Sequence, residues 1–224
     1  MTNVATGMNR LTMVTAVRQL LNEVGGSYVT GTIIIDSLNR SQRRLNSDTQ
    51  YYRVDSTLTS TTTSRTISLP MYVENILRVR WGSEKTRLEP TSLEALDRES
   101  TGWENATAGV PLNYYLDGGV IGFDPKPSTA TSVYMYHVKT PSELANGTSV
   151  PSWIPTRFHD TIVIRAAIDI ASGFDASNVT NNTRLQQWYA SYQEDVKDIK
   201  TIANSRSKEY SSRITVTGYG QFRR

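Results

Sequence analysis

The chain has 224 residues, with 24 Lys+Arg against 21 Asp+Glu and a formal charge of +3. It has no cysteine and two histidines, His137 and His159, which excludes disulfide frameworks, thiol chemistry, Cys-based zinc sites and a three-histidine metal site. Thr (28) and Ser (23) together outnumber all charged residues, which points to polar-faced β-structure, while 9% aromatic content and mixed charge argue against disorder. No apolar run is long enough to span a membrane and Met1 to Leu11 holds no apolar signal segment, so a soluble intracellular chain is expected.

From Leu11 the apolar residues Val14, Val17, Leu20, Leu21 and Val24 form a helical stripe, with Gly25-Gly26 as the stop. Thr30 or Thr32 opens a second helix on Ile34, Ile35, Leu38 and Leu45, with Arg40, Arg43 and Arg44 on a solvated or interface face. Tyr51 to Ser68 alternates and is rich in β-branched residues, so strands and a hairpin are expected there. Another strand follows over Tyr72 to Trp81, then a short helical bridge within Leu88 to Leu96. Asp117-Gly118-Gly119 between Asn113–Leu116 and Val120–Phe123 is a strong hairpin signal. Ser132 to Lys139 reads as a strand with Val133, Met135 and His137 on one face. Beyond Pro155, Phe158, Ile162, Ala166, Ile170 and Phe174 recur every four residues. A final helix over Thr180 to Asn204 carries Leu185, Trp188, Tyr189, Tyr192, Val196, Ile199 and Ala203, and spans roughly 36 Å.

The expected architecture is α+β. Helices at the two ends (1–50 and 152–204) pack as a bundle, an antiparallel β-rich module (51–151) is inserted between them, and residues 205–224 form an extended basic arm. The last 25 residues carry a balance of +5, which leaves −2 for the rest, so the basic character belongs to the tail. With few apolar anchors, the arm is not expected to order by itself.

The sequence offers little catalytic machinery. There is no GxSxG elbow, phosphate-binding glycine loop or HExxH. Acid pairs such as Glu94 with Asp97, or Glu99 with Glu104, are the spacing any chain supplies. His159-Asp160 reads as a helix start with Asp160 at the positive dipole end and His159 exposed. His137 reads as a satisfied strand histidine. Trp103 and Trp153 are either lids on local cores or interface anchors. No catalytic, cofactor-binding or metal-binding residue is assigned, and no enzyme is expected.

Several segments then stand in a telling order. Met8-Asn9-Arg10-Leu11-Thr12 leads to Leu20-Leu21-Asn22-Glu23-Val24-Gly25; Ser68-Leu69-Pro70 precedes Val73 and Ile76-Leu77-Arg78-Val79. Trp103 precedes Gly109-Val110-Pro111-Leu112-Asn113-Tyr114-Tyr115 and Ile121-Gly122-Phe123-Asp124-Pro125-Lys126-Pro127; Pro155-Thr156-Arg157-Phe158-His159-Asp160 opens the alanine-containing helix. Over about residues 8–200 this order resembles the head-to-tail adaptor (connector) proteins of tailed bacteriophages, most closely the upper tail-tube or gatekeeper-ring proteins of short-tailed phages. It departs at the Thr/Ser segment 56–68 and after 205.

The resemblance implies a structural virion protein at the head–tail junction, assembled in the host cytoplasm. It implies a homo-oligomeric, twelvefold ring under the portal protein that extends the DNA channel and meets a tail, nozzle or tail-tube protein, with no membrane and no cofactor. Portal binding is expected from the arm residues Arg206, Lys208, Tyr210, Arg213, Ile214, Val216, Tyr219, Phe222, Arg223 and Arg224, and subunit packing from Trp188, Tyr189 and Tyr192. The alternatives are a nucleic-acid-binding protein that uses its basic arm and a virion-associated cell-wall hydrolase.

Overall fold

The computed structural model describes residues 7–23, 28–174 and 183–215, of which residues 174 and 206–215 are described by backbone alone. Along the chain the elements are α1 (Arg10–Leu20), α2 (Gly31–Thr49), β1 (Arg53–Thr59), β2 (Thr66–Ser68), β3 (Val73–Trp81), β4 (Thr86–Pro90), α3 (Leu93–Glu99), β5 (Asn113–Asp117), β6 (Val120–Asp124), β7 (Ser132–Lys139), α4 (His159–Phe174) and α5 (Thr183–Thr215). The fold is α+β, and contacts divide it into two units: Met1–Tyr52 with Pro141–Arg224, and Arg53–Thr140.

In the helical unit, the Asn9 side chain accepts from the Thr12 N–H at 2.9 Å and so caps α1. The helix ends earlier than its glycines suggest. Asn22 adopts a left-handed conformation (φ 58°), its N–H reaches Gln19 O and the Glu23 N–H reaches Arg18 O, which is a Schellman closure made by asparagine. Gly25 and Gly26 lie outside the described residues. Thr30 caps α2 by accepting from Ile33 N–H.

Helix α4 contacts α1, α2 and α5, and buries Ile162, Val163, Ala166, Ala167, Ile168 and Ile170. A helix apolar on most of its circumference belongs inside. Its small residues bring α2 close, with Ser37 Oγ donating to the Ala166 carbonyl at 3.2 Å. Residues 141–151, expected in the β module, fall in the helical unit. The reason is polar. Gln42 Nε2 donates to Ser142 O, Asn39 Oδ1 accepts from Leu144 N–H, and Arg10 Nη1 reaches Ala145 O. Loop backbone buried against helices needs such partners.

The extended arm expected from residue 205 is not what residues 205–215 form, because α5 continues through Thr215. Nothing in this stretch breaks a helix. It lacks glycine and proline, and Arg206, Lys208 and Glu209 favour helix. At 1.5 Å per residue its 33 residues span about 50 Å. Residues 216–224 lie outside the described residues.

The β unit is a curled seven-stranded sheet in the order β1-β7-β3-β4-β5-β6-β2. The expected wholly antiparallel module is corrected at one join. β4 and β5 run parallel, with Glu89 opposite Asn113 and Pro90 opposite Tyr114. Between them α3 and the segment to Leu112 make the crossover that a parallel pair requires. The hairpin expected within 51–68 also does not form, since β1 pairs with β7 and β2 with β6, at opposite ends of the strand order. The connecting loop is held in place instead. Ser60 donates its N–H and its hydroxyl to Thr131 O, its hydroxyl oxygen accepts from Thr131 N–H, and Arg65 O accepts from Phe123 N–H.

The β5–β6 hairpin does form. Asp117 stands opposite Val120, and Gly118 and Gly119 both have positive φ (51° and 88°), the requirement of a two-residue type I′ turn. The inner face buries Val79, Trp81, Leu88, Tyr114, Ile121, Phe123 and Val133. Gly122 points the other way, and a Cβ there would fall inside the Tyr115 ring. That close approach explains a glycine in mid-strand.

Candidate assembly surfaces

The outer side of the sheet has two halves. Over β5 and β6, Tyr115 lies across Gly122 and meets Trp103 edge-on (centroids 5.6 Å apart, interplanar angle 82°), and Leu96 of α3 completes the small cluster. Arg65 locks this lid. Its guanidinium stacks over Trp103 at 4.7 Å and donates to the carbonyls of Trp103, Glu104 and Phe123 and to Asp124 Oδ1. Trp103 is thus a lid on a local core, its Nε1 donating to Asp97 at 2.8 Å. Asp97 is thereby engaged structurally.

Over β7, β3 and β4 the outer side chains are Tyr134, Tyr136, Arg78, Arg80 and Arg87, alternating with the buried Val133, Met135, Val79 and Leu88. Arg78 lies over the Tyr136 ring (5.6 Å) and Lys85, in the β3–β4 turn, over Tyr134 (5.0 Å). Arg80 stands directly opposite Arg87 on the neighbouring strand, an arrangement that is unfavourable unless anions attend it. Arg87 has one exposed acidic contact, Glu89 at 3.4 Å.

On α5 the structure places the packing candidates unequally. Tyr192 is buried in its own unit, donating to Asp48 Oδ2 at 3.1 Å with Arg165 over its ring; burial and the Asp48 charge push its phenol upward. Trp188 and Tyr189 are half-buried against the same core. Trp153 is likewise local, donating to Gln42 Oε1 and stacking near Tyr52. Of the arm candidates, Arg206, Lys208, Tyr210, Arg213 and Ile214 lie on the helical backbone of α5, and Val216, Tyr219, Phe222, Arg223 and Arg224 fall outside the described residues. Arg40, Arg43 and Arg44 are exposed on α2, with Arg43 paired to Glu143 at 3.2 Å.

His137 is buried and satisfied. Val138 O lies 3.1 Å from Nδ1 and Ser56 Oγ 2.9 Å from Nε2. A Ser–His contact with a backbone carbonyl in place of a carboxylate orients a core histidine. His159 corrects the exposed placement expected of it. It is 1% exposed, and the Gly7 backbone packs so closely that a Cβ would strike the ring. Burial pulls its pKa below the ordinary value, opposed by the carbonyls of Ile154, Pro151 and Met8 and by Asp160. Neither ring nitrogen makes a well-formed hydrogen bond. His159 stands four and eight residues before Val163 and Ala167, both buried on the same face of α4, and that spacing is the clue the sequence held. Among the described residues no three His, Asp or Glu side chains gather as metal ligands, and no helix is long and apolar enough to cross a membrane.

What the described residues organise is surface: an arginine–tyrosine sheet face, a helical lobe closed by Arg65, and a long helix. The family model for the SU10 adaptor protein matches residues 8–217, and the chain belongs to this phage head–tail adaptor family. No curated protein matches it.

Proposed function

We propose that the chain builds a twelvefold ring beneath the phage portal, joining head to tail and extending the DNA channel. The observation that carries this is the family match, which runs through both units, takes in the whole of α5 to Thr215 and ends at residue 217. A helix of about 50 Å is long enough to run the height of a ring wall. The basic residues of the terminal segment, Arg206, Lys208, Arg213, Arg223 and Arg224, with Tyr210, Ile214, Val216, Tyr219 and Phe222, engage the portal. Trp188 and Tyr189, half-buried in their own unit, keep area to offer a neighbour, whereas Tyr192 is consumed internally and is not part of that contact. The β unit meets the tail-side partner. The virion is the site of action, and the work is structural.

The test is mass in solution, by light scattering or native mass spectrometry, for the full chain and for one ending at Asn204, each alone and with the portal. A closed ring formed on the portal by the full chain and not by the truncated one is the expected result. A full chain that ignores the portal overturns the reading.

A further inference from the structure

We propose that the arginine–tyrosine face of the sheet is a contact between neighbouring copies of this chain, and that it receives the acidic α3 lobe of the next copy. The proposal rests on the ring reading above and names one of its contacts.

Two strands and their turn supply Arg78, Arg80, Lys85 and Arg87 against Glu74, Glu84 and Glu89, a balance of +1, and of these acids Glu89 lies 3.4 Å from Arg87. Arg80 and Arg87 oppose each other directly across β3 and β4, so an isolated module holds two like charges side by side, offset there by the exposed contact of Arg87 with Glu89. Lys85 and Arg78 lie against Tyr134 and Tyr136, which fixes two of the cations in place before any partner arrives. Lys85 and Arg87 are exposed, and Arg80 is half-exposed.

The same module carries the complement. The segment 91–105 holds Glu94, Asp97, Glu99 and Glu104 against Arg98 alone, a charge of −3. Asp97 is occupied by the Trp103 indole, and Arg65 takes the Glu104 main chain rather than its carboxylate. Glu94, Glu99 and Glu104 are exposed. Two different patches of opposite sign on one module make a heterologous contact, which repeats from copy to copy and closes into a ring when the rotation allows.

Nucleic acid fits this face less well. The two tyrosine rings are covered by cations rather than open to bases. The module has nine Lys and Arg against ten Asp and Glu, a net −1, so it has no long-range attraction for a polyanion. Arginine and tyrosine are the residues that protein interfaces concentrate at their centres.

The experiment uses two full-length reversed variants. One carries R80E and R87E; the other carries E94K, E99K and E104K. Arg78 and Asp97 are left alone because they hold Tyr136 and Trp103. Assembly is read by light scattering with the portal present, at low and at high salt.

Each variant alone is expected to lose ring formation, and an equimolar mixture to regain it, because the acidic face of the first then meets the basic lobe of the second. Regained assembly also shows that both variants fold. Two outcomes overturn the contact while leaving the ring reading intact: variants that each assemble like the unaltered chain, or a mixture that stays unassembled while the unaltered chain forms rings. Loss of duplex DNA binding in the R80E/R87E variant with assembly unchanged overturns it in favour of nucleic acid. Failure of the unaltered chain to form a ring on the portal removes the ring reading itself, and the contact with it.

Discussion

In the helical unit one continuous cluster runs from Met13 on α1 to Ala203 on α5, and its polar side chains are used to fasten loops. The β unit has two smaller clusters, one on each side of its sheet, and leaves half of its outer face to charged and aromatic side chains. The difference lies in how each element hides its backbone. Helices satisfy their own backbone groups and are free to bury large faces against one another. A sheet of seven strands leaves a second face, and the chain must cover it with α3 or leave it for something else to use. The helical unit therefore reads as scaffold, and the β unit carries the surface that differs most from an ordinary solvated one.

The comparison is tested most severely in the helical core. Leu38→Ala or Ile162→Ala, both fully buried, should each cost about 2–5 kcal/mol. Denaturant unfolding followed through Trp153 and Trp188 measures it, and an effect under 1 kcal/mol would mean that this cluster is not the scaffold. Gly122→Ala should cost roughly 1–3 kcal/mol by driving a methyl into the Tyr115 ring. Combined with Tyr115→Ala, most of that additional cost should vanish in a double-mutant cycle, and full additivity would show that the ring is not the cause.

Gln42→Ala removes partners from Ser142 O and from the Trp153 indole, and should cost about 1–3 kcal/mol. Amide exchange should rise first in 141–153; no local change there would detach that loop from α2. Breaking Arg43–Glu143, whose side chains are 44% and 67% exposed, should change stability by less than about 1 kcal/mol.

Acid supplies a further test of the helical unit. His159 is lowered in the folded chain, first by desolvation, from an ordinary value of 6.5. The unfolded chain therefore takes up a proton first as pH falls. The contribution of the neutral ring is intact above 6.5 and is lost progressively below it, toward the depressed folded value. Stability measured across that window should fall for the natural chain and fall less for His159→Phe. Equal slopes would mean that the ring is solvated in the folded state.

Much of this molecule was legible in its residues. The four-residue apolar period marked α4, the three-and-four spacing marked α5 as far as Asn204 but not its continuation to Thr215, and Gly118-Gly119 specified a turn that only positive φ at two positions can make. Alternation placed Val133, Met135 and His137 on the buried side of β7. The order of segments named the family. These features are local, because periodicity and turn chemistry act over a few residues.

Tertiary structure decided the rest. Strand pairing is chosen by which edges meet, so β1 and β2 separated to opposite ends of the sheet and β4 joined β5 in parallel. Loop 141–151 joined the helices because Asn39, Gln42 and Arg10 supplied its carbonyls and amides with partners from residues about 100 or more away. His159 was buried by a strand of backbone from the far end of the chain, at Gly7. The arginines of β3 and β4 became one charged face only when register set Arg80 beside Arg87. In each case the deciding neighbour is distant in sequence, and the sequence records no distance.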